Sequence, residues 1–358
     1  MANLVIQTAF LGDLLLAIPL LKQVKRSFPN EKLYLVCRKG LGPVITELQL
    51  ADVVVEVDKK KSSSIREAKK KLRPVQFTNI FCPHQSIRSA LLVLSLKKKR
   101  AIGFYDWWNS WIFHSRIRRP MDLPDALRQV ALVTLADSKF DVKFDGESTD
   151  FLNGGLQNYH LPIVDFREQS IPDWADMQCP IDVSKIIEKK VFLAPGSTWN
   201  TKRWGREHYI QLSHWLKDLG YQVELLGSPE ERELCQSIAD QVPGLQNHAG
   251  KTSLIETLAL LRTGQALVCN DSGAMHMAAV VGLPTVAVFG PTTLDLGYRP
   301  WQSRAIVVQN NLLDCRPCGL HGAQRCPLGH HQCMKDLKVE RVIQAFSKLL
   351  TIPESLEI

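Results

Sequence analysis

Along this chain short, continuous apolar runs alternate with longer stretches whose apolar residues recur at helical spacing. Runs at 3–9, 33–37, 53–57 and 77–81 have the length and composition of buried strands, while 14–26, 62–73 and 86–96 read as helices. Strands alternating with helices predict a parallel, doubly wound α/β domain. Periodicity fades from 151 to 185, where Gly154-Gly155, Pro162, Pro172 and Pro180 punctuate the chain. It returns with strands at 191–194, 221–226, 266–269 and 285–289 and helices at 207–219, 252–262 and 339–350. The expected organisation is an N-terminal doubly wound domain over 1–165, a linker over 166–187, a second such domain over 188–337 and a final helical segment over 338–358.

The stretch 266–290, ALVCNDSGAMHMAAVVGLPTVAVFG, reads as strand, turn, small-residue helix and strand. That is a βαβ unit, which forces parallel pairing. In such sheets ligands bind beyond the carboxyl ends of the strands, where Asp271-Ser272-Gly273 falls. Small residues at a helix start expose N–H groups to an anion that the helix dipole also favours. A diphosphate suits this turn. The same residues would equally make a plain N-cap, and His276 a core histidine. Comparable turns follow the first strand of each domain. In the first, Gly12 permits close backbone approach and Asp13 stands at the strand's carboxyl end, as a base or as another N-cap. In the second, the turn 195–204 offers Ser197, Thr198 and Lys202 where an anion would sit.

Composition narrows the class. The chain has 358 residues, enough for two α/β domains, with 45% hydrophobic and 22% charged residues, as in a globular protein. The apolar run 10–21 is broken by Asp13 and Pro19 and no basic segment precedes it, so neither a signal peptide nor a spanning helix is expected, and a cytoplasmic location is. Charge is unevenly placed. Residues 1–150 carry 25 Lys+Arg against 15 Asp+Glu, a net of +10, and the remainder 19 against 21, a net of −2. The runs 59–61, 69–71 and 97–100 account for much of it; they suit solvated faces or an anionic partner such as acidic headgroups, a phosphorylated glycolipid or nucleic acid. Six aromatics fall within 104–113, flanked by cations, a pattern suited to a membrane interface, a glycolipid or single-stranded nucleic acid as well as to a structured loop.

Other motifs exclude more than they support. No G-x-G-x-x-G follows either first strand, and 244–252 has five residues between its glycines where a P-loop needs four. Cys315-x2-Cys318-x7-Cys326-x6-Cys333 has the ligand count of a structural zinc site and equally suits reduced cysteines in a compact loop.

The N-D-S-G-x-M-H-x-A-x-x-x-G-x-P-x-V-A-x-F-G block at 270–290 closely resembles the donor-binding signature of glycosyltransferase family nine, the heptosyltransferases. The resemblance covers nearly the whole chain, including L-G-D at 11–13, Gln85-Ser86-x-Arg88-Ser89, G-S-T-x-x-x-K-R-W at 196–204 and G-S-P-E-E at 227–231. It implies a GT-B fold, two doubly wound Rossmann-like domains facing a central cleft, with the last helix packing back on the first domain. It also implies inverting transfer of L-glycero-D-manno-heptose from ADP-heptose to the inner core of lipopolysaccharide. Asp13 then matches the general base and Lys202 the lysine on the donor phosphate. Gly12, Ser197, Thr198, Glu231, Thr252, Asp271, Ser272, Gly273 and His276 match donor-binding positions, and Arg88 would meet the acceptor. No metal or other cofactor is implied, zinc on Cys315, Cys318, Cys326 and Cys333 being the alternative. A monomer peripheral to the cytoplasmic face of the inner membrane, without a nucleic-acid partner, completes the expectation. Asp125 stands where many relatives have a histidine, and the 105–113 loop is unusually aromatic, so both departures bear on the acceptor. The alternatives are another nucleotide-sugar donor, or a basic scaffold without catalysis.

Overall fold

The computed structural model describes residues 1–121, 123–140, 186–301 and 304–351. The chain divides into two compact units, Met1–Phe144 and Asp145–Ile358. The expected boundary at 165 and nearly all of the expected linker lie outside the described residues.

In the first unit β1 (Ala2–Gln7), β2 (Lys32–Arg38), β3 (Val53–Val57), β4 (Phe77–Cys82), β5 (Lys98–Phe104) and β6 (Ser115–Ile117) build one sheet. Its order is β3-β2-β1-β4-β5-β6, and every pairing is parallel. Helices α1 (Leu11–Leu16), α2 (Ile18–Ser27), α3 (Gly42–Glu47), α4 (Ser62–Leu72), α5 (Ile87–Leu94) and α6 (Asp125–Val130) belong to the same unit.

The second unit repeats the plan with β7 (Lys190–Ala194), β8 (Gln222–Leu225), β9 (Gln246–Asn247), β10 (Ala266–Asn270), β11 (Thr285–Phe289) and β12 (Ala305–Gln309). Their order is β12-β11-β10-β7-β8-β9, again parallel throughout. With them go α7 (Arg206–Asp218), α8 (Arg232–Ala239), α9 (Leu254–Leu261), α10 (Gly273–Val281), α11 (Gln332–Lys335) and α12 (Val339–Thr351). Each sheet thus reverses its strand order once, between β1 and β4 and between β7 and β10. At such a switch point the connections diverge and leave a crevice at the carboxyl ends of the two strands.

Central strands β1, β7, β10 and β11 are buried along their whole length, because helices cover both faces, which is why they read as unbroken apolar runs. The run 14–26, expected as one helix, is two: α1 ends at Ala17 and α2 restarts with Pro19 in its first turn. Proline cannot donate the N–H that would continue α1, yet it suits the start of α2. The cationic run 97–100 is solvated as expected but opens β5, the first three residues of the strand lying outside the core and its last four buried.

Helix α12 turns Val342, Ala345, Phe346 and Leu349 into the core of the second unit, beside β11, β12 and α7. Residues 352–358 lie outside the described residues. Among the described residues no helix is long and apolar enough to cross a membrane.

Candidate active site

The second sheet's switch point gathers most of the expected site. The turn after β7 carries Ser197, Thr198 and, in a short 3-10 segment Asn200–Lys202, the lysine. The turn after β10 carries Asp271 and Ser272 and leads into α10 at Gly273. One side chain holds the two turns together. Asn270 is fully buried; its amide nitrogen donates to the carbonyls of Pro195 (2.8 Å) and Gly196 (3.1 Å), and its oxygen accepts from the Trp204 N–H (3.1 Å) and the Tyr209 hydroxyl (3.3 Å). Nothing but its place in the N-D-S-G block marked Asn270 in the sequence.

Across this joint Lys202 Nζ meets Asp271 Oδ2 at 2.6 Å, with side-chain exposures of 9% and 4%. The Thr292 hydroxyl donates to the same oxygen at 2.6 Å. A buried ion pair repays its desolvation only when well bonded, and this carboxylate has both a cation and a hydroxyl. The ammonium has three donors and spends one here.

Asp271 therefore does not cap α10. Ser272 takes the N-cap position with extended backbone but makes no side-chain capping bond. The N-cap alternative for this turn is thus not what the side chains do. His276 lies one turn in and is buried.

Glu231 reaches the site from the turn after β8. Its carboxylate accepts from the Ser228 N–H at 2.8 Å and presses on Gly196 so closely that a methyl added there would overlap it. A side chain at 196 would displace the Glu231 carboxylate, so the glycine matters here through close approach rather than backbone angle. Thr252 is more peripheral, its hydroxyl 2.9 Å from that of Thr257, and Thr198 is exposed, with its carbonyl accepting from Gln324 at 3.1 Å.

The cysteine-rich segment braces this turn from behind. Thr201 exchanges hydrogen bonds with the backbone of Ala323, its hydroxyl donating at 2.6 Å and accepting at 2.9 Å. His331 Nε2 lies 2.7 Å from the Thr201 carbonyl, and Trp199 stacks on His321. The Arg316 guanidinium binds the carbonyls of Gly290, Asn310 and Thr292. Among the described residues no three His, Cys, Asp or Glu side chains converge as metal ligands. The segment that carries Cys315, Cys318, Cys326 and Cys333 thus meets the turn through hydrogen bonds and ring stacking.

The first unit has its own crevice at β1 and β4. Gly12 and Asp13 lie in α1, where the Phe10 N–H donates to Asp13 Oδ2 at 3.1 Å. Asp13 thus supports its own helix start while remaining partly exposed. Cations gather near it. Burial, and then Arg38 and Arg88, hold the Lys59 ammonium below its usual range, while Asp13 pulls it back up. Arg88 donates to the Lys59 carbonyl at 3.1 Å, and the Arg38 guanidinium lies 4.6 Å from the Phe10 ring centroid. Sequence reading selected Arg88 and left Arg38 and Lys59 among the general charge.

Beside them Thr8, His84 and Ser89 form a hydroxyl–imidazole cluster, with His84 Nδ1 3.1 Å from the Thr8 hydroxyl and 3.0 Å from that of Ser89. Burial, and then Lys59, push the His84 ring down to about 4. Asp125, marked as a departure, is buried in an ion pair with Arg119 and accepts from Gln129 at 2.8 Å. It is a framework residue in this fold.

Two doubly wound domains of this topology have the GT-B architecture. The profile of Glycosyltransferase family 9 (heptosyltransferase) matches residues 65–325, and the chain belongs to that family. Lipooligosaccharide heptosyltransferase 2 of Campylobacter jejuni is 24% identical over 348 residues, covering 96% of this chain and 97% of that one. The solved structure of E. coli ADP-heptose LPS heptosyltransferase II superposes with a TM-score of 0.71 at 21% identity, covering 98% of each chain. E. coli heptosyltransferase WaaC with ADP-2-deoxy-2-fluoro heptose gives 0.70 at 20% identity, covering 97% of this chain and 99% of that one.

Proposed function

We propose that this enzyme transfers L-glycero-D-manno-heptose from ADP-heptose to a lipopolysaccharide inner-core acceptor with inversion at the anomeric carbon, and that Asp13 is the general base. The observation that carries the donor side is the meeting of Lys202, Asp271 and the α10 start at the switch point of the second sheet. In this reading the acceptor hydroxyl oxygen attacks the heptose anomeric carbon and its proton passes to the Asp13 carboxylate. The bond from that carbon to the diphosphate oxygen breaks, and ADP departs with the electron pair. Lys202 and the N–H groups at Gly273 take up the charge that develops on the diphosphate. Asp271, relieved of part of its hold on Lys202, faces heptose hydroxyls with Ser272, while Glu231 accepts from the ribose and Thr252 borders the adenine. Ser197, Thr198 and His276 complete the donor pocket, and Gly12 gives the acceptor room beside Asp13. The acceptor's anionic groups are met by Arg88 together with Arg38 and Lys59.

On the same reading the donor belongs to residues 188–337 and the acceptor to 1–165. No cofactor enters the step. The enzyme works as a cytoplasmic monomer at the inner face of the membrane that carries its acceptor, without a nucleic-acid partner.

The test is incubation of purified protein with ADP-heptose and a panel of truncated lipopolysaccharide acceptors, followed by mass spectrometry. One acceptor should gain one heptose, with the α configuration expected of inversion from a β-linked donor. Asp13→Asn should abolish transfer while leaving ADP affinity close to that of the parent. Transfer by Asp13→Asn at parental rates would remove Asp13 from the role, and ADP binding without heptose transfer would direct the reading to another ADP-sugar.

A further inference from the structure

The first unit displays an apolar surface that the transfer chemistry does not use. Ile87, Leu91 and Leu94 are all exposed, at 64%, 50% and 44%. Their spacing of four and three places them on one stripe of α5, opposite the buried Ser89 and Leu92. The aromatic loop after β5 lies against the same helix. A small cavity there is lined by Gln85, Ser86 and Ala90 from one side and by Trp108, Asn109 and Phe113 from the other. Trp108, Ile112 and Phe113 are thereby committed to the core, while Trp107 is 84% and Trp111 60% exposed. The loop thus divides its aromatics between anchoring itself and presenting two indoles to the outside.

Cations border this patch. Lys98 binds the carbonyls of Leu94 and Leu96 at the end of α5, with Lys97 and Lys99 exposed beside it. Arg119 binds Gln85 just before the start of α5 (3.2 Å), and the Arg116 guanidinium lies 5.1 Å from the Tyr105 ring centroid. An aliphatic helix stripe, outward-facing tryptophans and a basic surround form the combination that seats a protein at the headgroup level of an anionic bilayer. A nucleic-acid surface would use the rings and cations but leave the aliphatic stripe without purpose.

We propose that Ile87, Leu91 and Leu94 of α5, with Trp107 and Trp111, form a docking face that inserts shallowly into a bilayer of anionic lipids. The face rests on the reading of a lipid-linked acceptor for the membrane it names, but its test needs no acceptor. The purified full chain is floated with vesicles of phosphatidylglycerol and, separately, of phosphatidylcholine, across a salt series. The parent should co-float with the anionic vesicles, lose binding as salt rises, and show tryptophan quenching by brominated lipid. Leu91→Glu and Trp107→Ser should each weaken binding about tenfold, the ratio for losing one partly buried large side chain, and Leu219→Glu, an exposed site in the second unit, should not.

Both patch variants should keep parental turnover on a soluble, delipidated acceptor, which separates failed docking from failed transfer. Absence of flotation by the parent, or equal flotation by Leu91→Glu and Trp107→Ser, overturns the proposal. Loss of self-association or of RNA binding in these variants, with vesicle binding intact, reassigns the face and overturns it as well.

Discussion

Asn270 shows how much a single buried amide can organise. It satisfies two carbonyls, an N–H and a hydroxyl from the neighbouring turn; removing it leaves several buried groups unpaired, each a desolvation cost. Asn270→Ala should lower unfolding stability by about 3 kcal/mol in urea titrations and weaken ADP binding in parallel, because the Lys202 and Asp271 turns lose their common joint. The Lys202–Asp271 pair makes a sharper case. Lys202→Met strands a buried carboxylate and should cost about 3 kcal/mol of stability. Adding Asp271→Asn removes the stranded charge and should restore most of that stability, while transfer stays lost in both variants. Recovery of activity along with stability in the double variant would show that the pair is framework alone. His84 offers a pH test at the same scale. Its folded value, about 4 against an ordinary 6.5, means that the unfolded chain binds more protons between those values. Its contribution is therefore complete above about 6.5 and is lost as pH falls toward 4. Urea midpoints measured on either side of that window should fall with acidification, and His84→Asn should flatten the fall.

At the level of elements the turn between β7 and α7 is fixed from three sides: by Asn270, by Glu231 pressing on Gly196, and by the cysteine-rich segment through Thr201. Gly196→Ala puts a methyl into the Glu231 carboxylate, so Glu231 must leave both its Ser228 contact and its place beside the site. Calorimetry should show ADP affinity falling about tenfold or more with the fold retained, a loss of about 1.4 kcal/mol. Unchanged affinity would detach Glu231 from the nucleotide.

These elements also mark what could be read in advance. Strands buried on both faces declare themselves as apolar runs, so β1, β4, β7, β10 and β11 were legible to within a residue or two. The short polar-edged strands β6 and β9 and the whole of β5, whose start is cationic, were not, because pattern is weak where one end of a strand is solvated, and the apolar β12 went unread as well. Lys202, Asp271 and Gly273 were legible because the motif and the strand-end rule point to the same turn. Asn270 and Arg316 were not, since joining two loops distant in sequence leaves no local signature.

The whole molecule is divided by charge as well as by fold. The net +10 over residues 1–150, against −2 over the remainder, coincides with the unit that carries Arg38, Lys59 and Arg88 around Asp13. Burial first, and then Arg38 and Arg88, hold the Lys59 ammonium below its usual range, and an arriving anion relieves that cost. Most of the remaining excess lies in exposed runs, where attraction is long-ranged and screened over about 8 Å at physiological salt. The donor site differs, since Lys202 is already paired with Asp271 in a buried turn, where salt penetrates little. The two substrates should therefore respond differently to ionic strength. With a soluble inner-core acceptor the acceptor KM should rise steeply as salt is added, while the ADP-heptose KM and kcat change little. Charge reversal of Lys60 and Lys61, exposed and outside the proposed machinery, should flatten the acceptor's salt dependence without altering the donor's. Equal sensitivity of both KM values would mean that the charge excess does not steer the acceptor.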